Sequence, residues 1–138
     1  MALDVGSRRI GIAVADPTGT FALPVATVVR TNRRDDLAAI KAHLDSYRVE
    51  ELVVGDPLTL RGERGIAAQT IDAFVEHLHE IFAGTIHRVD ERMTTAQAQR
   101  ELIAADFSRK KRRDVVDRMA AALILESFLA RRRNEPRT

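Results

Sequence analysis

Residues 10–15 read IGIAVA. Ile10, Ile12 and Val14 alternate with Gly11, Ala13 and Ala15, a period of two that sets large side chains on one face of a β-strand and small ones on the other. The strand follows a shorter apolar run, Leu3 to Val5, through a tight turn at Gly6 and Ser7. That shorter run carries an acid, Asp4, where an apolar residue would be ordinary. The segment FALPVATVV alternates as well, with Phe21, Leu23, Val25 and Val29 on one face, and DPTG before it supplies turn residues. Pro24 cannot donate to a ladder, which makes this an edge strand. The chain therefore opens with a three-stranded antiparallel meander.

The period then changes. Leu37, Ile40, Leu44 and Tyr47 recur at helical spacing, ELVVGDP is a short buried strand, and Ile71, Phe74, Val75, Leu78 and Phe82 mark a second helix. TIHRVDERM supplies a fifth strand that ends near Asp90. Thr94 and Gln97 form a capping box for a helix through Ile103, and a last helix is expected from about Asp114 to Arg132. Strands that alternate with helices imply right-handed crossovers and parallel pairing. The expected fold is α/β, a five-stranded mixed sheet flanked by helices, with residues 1–138 forming a single domain.

Composition narrows the setting. The chain has 138 residues and no cysteine, so it holds neither a disulfide nor a cysteine-zinc site, which suits a reducing compartment. No basic start precedes the first apolar run and no stretch approaches the roughly 20 apolar residues of a membrane span, so a cytoplasmic protein is expected. The net charge is only +2, but the basic residues cluster, and clustering matters more than the total when the partner is a polyanion.

Three acids fall at informative places. Asp4 lies in the first strand, Glu91 at the end of the fifth, and Asp117 in the first turn expected for the last helix. Asp114, Asp117, Ala121, Ile124 and Phe128 share one helical stripe, so Asp117 points the same way as the core residues beyond it. Carboxylates converging at the ends of strands would repel one another unless a cation joined them, and an all-oxygen cluster suits Mg²⁺ or Mn²⁺.

At this point four blocks of the sequence, ALDVGSRRIGIAVAD, VVGDPLTLRGERG, VDERMTT and DRMAAALIL, resemble the signature blocks of the YqgF or RuvX family. That family consists of bacterial nucleases with an RNase H-like fold, described as Holliday junction resolvase-like and as pre-16S ribosomal RNA nucleases. The resemblance spans nearly the whole chain, in order and at the right spacing. It implies that Asp4, Glu91 and Asp117 are the catalytic acids and bind the metal ions, Mg²⁺ or Mn²⁺. Gly55 and Pro57 match the family's GxP block, but Asp56 stands between them where the family usually carries an apolar residue. That leaves Asp56 open as an extra ligand or as a turn residue before Pro57.

Plainer roles stand beside these. Asp4 also fits a buried acid held by backbone hydrogen bonds, and Glu91 a solvent-facing residue near a helix start. Both Asp114 and Asp117 fit the preference of a helix's first turn for acids; the expected division is Asp114 as cap, with a ligand role as the alternative, and Asp117 as ligand. Among the cations, Arg109, Lys110, Lys111, Arg112 and Arg113 are expected in a loop, and Arg8, Arg9, Arg61, Arg64 and Arg92 near strand ends. Together they would contact the phosphate backbone of a nucleic acid. Aromatic residues are too scattered for a base-stacking platform. His43, His77, His79 and His87 show no metal-ligand spacing.

The expected activity is hydrolysis of phosphodiester bonds by a metal-dependent endonuclease. Its expected substrate is the 5′ end of pre-16S rRNA in ribosome biogenesis. A Holliday junction resolvase of DNA recombination and repair is the alternative, and a non-catalytic RNA-binding module is a weaker one. The DVG turn also resembles the phosphate loop of actin-like ATPases and sugar kinases, which need two such domains. No apolar stripe is left over for a dimer seam, so a monomer or weak homodimer is expected.

Overall fold

The computed structural model describes residues 1–57, 65–90 and 109–134, with the backbone alone for 109–114. Strands β1 (Ala2–Val5), β2 (Arg9–Ala15) and β3 (Ala22–Val29) are followed by helix α1 (Arg33–Ser46), strand β4 (Glu51–Asp56), helix α2 (Ile66–Leu78), strand β5 (Thr85–Asp90) and helix α3 (Arg109–Asn134). The strands form one sheet in the order β3-β2-β1-β4-β5. The meander pairs antiparallel, while β1 with β4 and β4 with β5 pair parallel. This is the mixed sheet expected, with β3 at an edge where Pro24 does no harm.

The alternation in β2 sorts the layers. Ile10, Ile12 and Val14 join Leu3, Leu52 and Val54 in a core closed by Leu37, Ile40 and Leu44 of α1 and by Ile71, Phe74 and Leu78 of α2. The opposite face carries Ala2, Ala13, Val53 and Val89, and α3 covers it with Ala121, Ala122, Ile124, Leu125 and Leu129. Two helices on the large face and one on the small face follow from the side-chain volumes. Alanine against alanine lets α3 approach the sheet closely, and at Gly11 the approach becomes direct. A Cβ placed on Gly11 would collide with the backbone carbonyl of Asp117.

Several expectations are corrected. The run Arg109 to Arg113 is helix and not loop, because Arg and Lys are good helix formers and neither glycine nor proline interrupts them. Asp114 is then an interior residue of α3 and not its cap, and Asp117 lies beyond the first turn. Helix α2 ends at Leu78, so Phe82 reaches the core from the connection that follows. In β3 the register shifts between Ile12, opposite Ala26, and Ala13, opposite Pro24, which leaves Val25 as a bulge. Beyond that bulge the alternation changes phase, so Val29 sits opposite Arg9 and shares no face with Leu23, which sits opposite Val14. Phe21, Leu23 and Val29 are exposed, against the expectation that one core absorbs every apolar stripe. The helix expected from Thr94 to Ile103 lies outside the described residues.

The far end of α3 is tied electrostatically. Arg132 donates twice to the Glu51 carboxylate, with Nη2 3.0 Å from Oε1, and its guanidinium lies 4.6 Å from the Phe128 ring centroid. The Arg132 hydrogen bond, offset in part by desolvation, holds the Glu51 carboxyl below its ordinary 4.5.

Two outcomes are expected. Gly11→Ala should force α3 off the sheet and lower the unfolding free energy by about 1–3 kcal/mol, read from urea midpoints. Because the Glu51 pKa is depressed by folding, its pairing stabilises the protein above pH 4.5 and the contribution fades as pH falls through the lowered value. Arg132→Gln should therefore cost up to about 1 kcal/mol at neutral pH, a small figure because both groups are part-exposed. The gap from wild type should narrow in acid to what the ring contact with Phe128 leaves.

Candidate active site

Asp4 occupies the third position of β1, opposite Gly11 on β2, and is only 5% exposed. Its neighbour Leu3 belongs to the core beneath α1 and α2, so strand alternation turns Asp4 to the α3 side. The same glycine that faces Asp4 receives the Asp117 backbone. Two acids far apart in the chain are thereby brought to one place, and both line a cleft of about 490 Å³ at the carboxyl end of β1. Val5, Gly6, Ser7 and Arg30 form one wall, and Pro57 with Ala67, Thr70 and Ile71 the other.

The turn between β1 and β2 is closed by a hydrogen bond from Gly6 N to Arg9 O of 2.9 Å. A Cβ on Gly6 would stand 2.9 Å from that carbonyl, so glycine is required here by close approach. Arg8 is exposed on this turn. Arg9, expected on the nucleic-acid backbone, also pairs within the protein: Nε donates to Asp117 Oδ2 at 2.6 Å, with side chains 25% and 19% exposed. This ion pair fixes the orientation of the Asp117 carboxylate and balances charge beside Asp4.

Asp56 is placed elsewhere. It ends β4 in register with Asp90, and the pairing of Leu3 with Val54 puts Asp56 on the face opposite Asp4. Its carboxylate takes Arg88 Nη2 at 3.3 Å, and the same Nη2 reaches Asp72 of α2 at 3.0 Å. The structure thus gives Asp56 an ion pair toward α2 and does not bring it to the cleft. Glu91, Arg61, Arg64 and Arg92 lie outside the described residues, as do the side chains of Arg109, Lys110, Lys111, Arg112, Arg113 and Asp114; the backbone of these last six forms the start of α3.

The donor set present is all oxygen, from one buried and one part-buried carboxylate, which fits a hard divalent cation such as Mg²⁺ or Mn²⁺. Among the described residues no three His, Cys, Asp or Glu gather as a metal-binding group, so a third acid would have to come from beyond them. Three of the four histidines are used in other contacts. His87 lies 4.7 Å from the Phe128 ring, His43 stacks on Tyr47, and His77 pairs with Glu80 of the turn after α2.

One charged cleft residue escaped the sequence reading. Arg30 follows β3 directly, and its N–H donates to Arg8 O at 2.8 Å. An antiparallel meander brings the end of its third strand back to its first turn, so the register of FALPVATVV against IGIAVA was the signal that could have placed it.

A sheet of this order with helices on both faces, and with acids at the end of its central strand, is an RNase H-like fold. The same fold is found in Thermus thermophilus RuvC solved in complex with a Holliday junction substrate, with a TM-score of 0.55 and 16% identity over 96% of this chain and 93% of that one. The sequence model of RuvX, described as Holliday junction resolvase, matches residues 1–131, and the chain belongs to this family. A protein of Moorella thermoacetica named "Putative pre-16S rRNA nuclease" is 45% identical over 95% of this chain and 94% of its own length. One of the same name from Thermoanaerobacter pseudethanolicus is 43% identical over 98% of each.

The Arg9–Asp117 pair has a measurable consequence. Arg9→Gln and Asp117→Asn should each lower the unfolding free energy by about 1–2 kcal/mol. Since the partners touch, the double variant should lose less than the sum of the two, by about 1 kcal/mol in a urea double-mutant cycle.

Proposed function

We propose that this protein is a divalent-metal-dependent endonuclease acting on precursor ribosomal RNA, with Asp4, Glu91 and Asp117 as the acids that hold the metal. The observation that carries this reading is the convergence of Asp4 and Asp117 on one cleft at the carboxyl end of the central strand. The names of the full-length relatives supply the substrate class. Asp4, Glu91 and Asp117 would hold divalent metal, which would supply Lewis-acid activation of water and charge stabilisation for an in-line displacement.

The chain's own residues set the geometry. Asp4 is held by the strand ladder, which makes it a rigid ligand on a rigid platform. Arg9 keeps the Asp117 carboxylate in one orientation. The Gly6–Ser7 turn shapes the wall along which a phosphodiester would lie. Arg8, with the cations at residues 109–113 and Arg61, Arg64 and Arg92, would offset the repulsion between an acidic site and a polyanion. We read Asp56 as the structural partner of Arg88 and not as a further ligand. No helix among the described residues is long and apolar enough to cross a membrane, which accords with a cytoplasmic enzyme. A monomer or weak homodimer with one domain suffices for cutting a single RNA strand.

Junction resolution is the second reading, favoured by the RuvX description and by the fold shared with RuvC. A four-way junction is cut on two strands, so that reading demands two sites related by a two-fold axis.

The test is cleavage of an end-labelled 16S rRNA precursor beside a cruciform plasmid. Cleavage of the RNA should require Mg²⁺ or Mn²⁺ and stop in excess EDTA. Asp4→Asn should reduce it by more than about 100-fold, beyond what loss of a group that merely supports a ligand costs, with the circular dichroism spectrum unchanged. Wild-type turnover in that variant would remove Asp4 from the site. Paired symmetric nicks in the cruciform, with a stable dimer in sedimentation, would favour the resolvase.

A further inference from the structure

Arg30 lines the cleft that holds Asp4 and Asp117, and three partners on different elements hold its guanidinium. The group lies 5.3 Å from the centroid of the Phe74 ring of α2. Nη1 donates to the Gly6 carbonyl in the β1–β2 turn at 2.8 Å. Nε lies 3.6 Å from Oδ2 of Asp36 in α1. Asp36 is itself buried, and its Oδ1 accepts the Thr31 N–H at 3.0 Å. Helix α1 begins where it does because Asn32 caps it by accepting the Asp35 N–H at 2.9 Å, which sets Asp36 within reach of the guanidinium.

A guanidinium has five N–H donors in a fixed fork. Here Nη1 serves the turn and Nε faces Asp36, while Nη2 has no hydrogen-bond partner among the described residues. The side chain is 27% exposed, enough to reach a ligand in the cleft. Most of the ordering cost of a long side chain is already met within the folded protein, so an anion meeting Nη2 would find it in place. A purely structural brace lining the cleft that carries the acids would have no need of a nitrogen without a partner among the described residues.

We propose that Arg30 is a preorganised phosphate-binding residue, whose Nη2 edge contacts a phosphodiester of the nucleic acid beside the Asp4–Asp117 site. This rests on the reading of the cleft as a nuclease site, but it concerns binding alone. Arg30 couples two jobs: the Gly6 contact holds the turn next to Asp4, and the open edge receives the backbone of the strand to be cut.

The test is binding of a fluorescent RNA stem in excess EDTA, followed by anisotropy over a range of salt, so that neither metal nor cleavage enters. Arg30→Gln should weaken binding by about tenfold at moderate salt and lower the log–log salt slope by about one. Because Arg30→Gln leaves Asp36 buried without its cation, the double variant Arg30→Gln/Asp36→Asn is measured beside it. Its urea midpoint should return toward that of wild type while the lost affinity and slope stay lost. A folded double variant with wild-type affinity and slope would overturn the proposal and leave Arg30 a brace. Wild-type protein with no salt-dependent affinity for RNA would overturn both this inference and the nucleic-acid reading of the cleft. Wild-type binding without cleavage in Mg²⁺ or Mn²⁺ would count against the catalytic reading alone.

Discussion

The rest of the structure depends on how closely α3 lies against the sheet. Gly11 has no side chain, and the Asp117 carbonyl occupies the space a Cβ would need. Ala2 and Ala13 on the strands and Ala121 and Ala122 on the helix extend that contact along the axis. Small residues bury less area than leucine, so this layer gives up some hydrophobic stabilisation. What it gains is position: the backbone of α3 is fixed against β2 with little room to slide, and Asp117 is delivered beside the central strand.

Charge around the cleft is managed by pairing. Asp4 is buried on β1, Asp117 is held by Arg9, and Asp36 faces Arg30. Arg30 has further uses, at the Gly6 carbonyl and the Phe74 ring. Arg88 plays a similar part beside α2, where one Nη2 serves both Asp56 and Asp72. The α3 face carries the Arg9–Asp117 pair, and the face under α1 and α2 carries both Arg30–Asp36 and the Arg88 system. Burial of a carboxylate is costly unless it is paired or hydrogen-bonded, and the pairs show where the chain meets that cost.

The two ends of α3 contribute differently. Its start, at residues 109–113, is a continuous row of cations. Its end is anchored by Arg132 to Glu51 at the beginning of β4 and by Arg133, whose Nη1 donates to Thr20 O at 3.1 Å.

Much of this was legible in the sequence because it is local. The period of two in IGIAVA revealed a strand with unequal faces, Pro24 marked an edge, and the helical spacing of Leu37, Ile40 and Leu44 located α1. The stripe of Asp117, Ala121 and Ile124 showed which way the acid points. Local pattern failed where the decision was not local. Whether the cations at 109–113 belong to a loop or to a helix depends on how far α3 propagates, and the bulge at Val25 depends on a partner strand. Arg9 read as a surface cation because nothing near it in sequence reveals that α3 returns to offer Asp117. Asp56 stood open between two roles until register settled its face, since one residue along a strand exchanges one side of the sheet for the other. By itself, the sequence determined which residues can be strand, helix, large face or small face. Only tertiary structure decided which charges meet, because ion pairs form between elements whose separation along the chain carries no record of their distance in space.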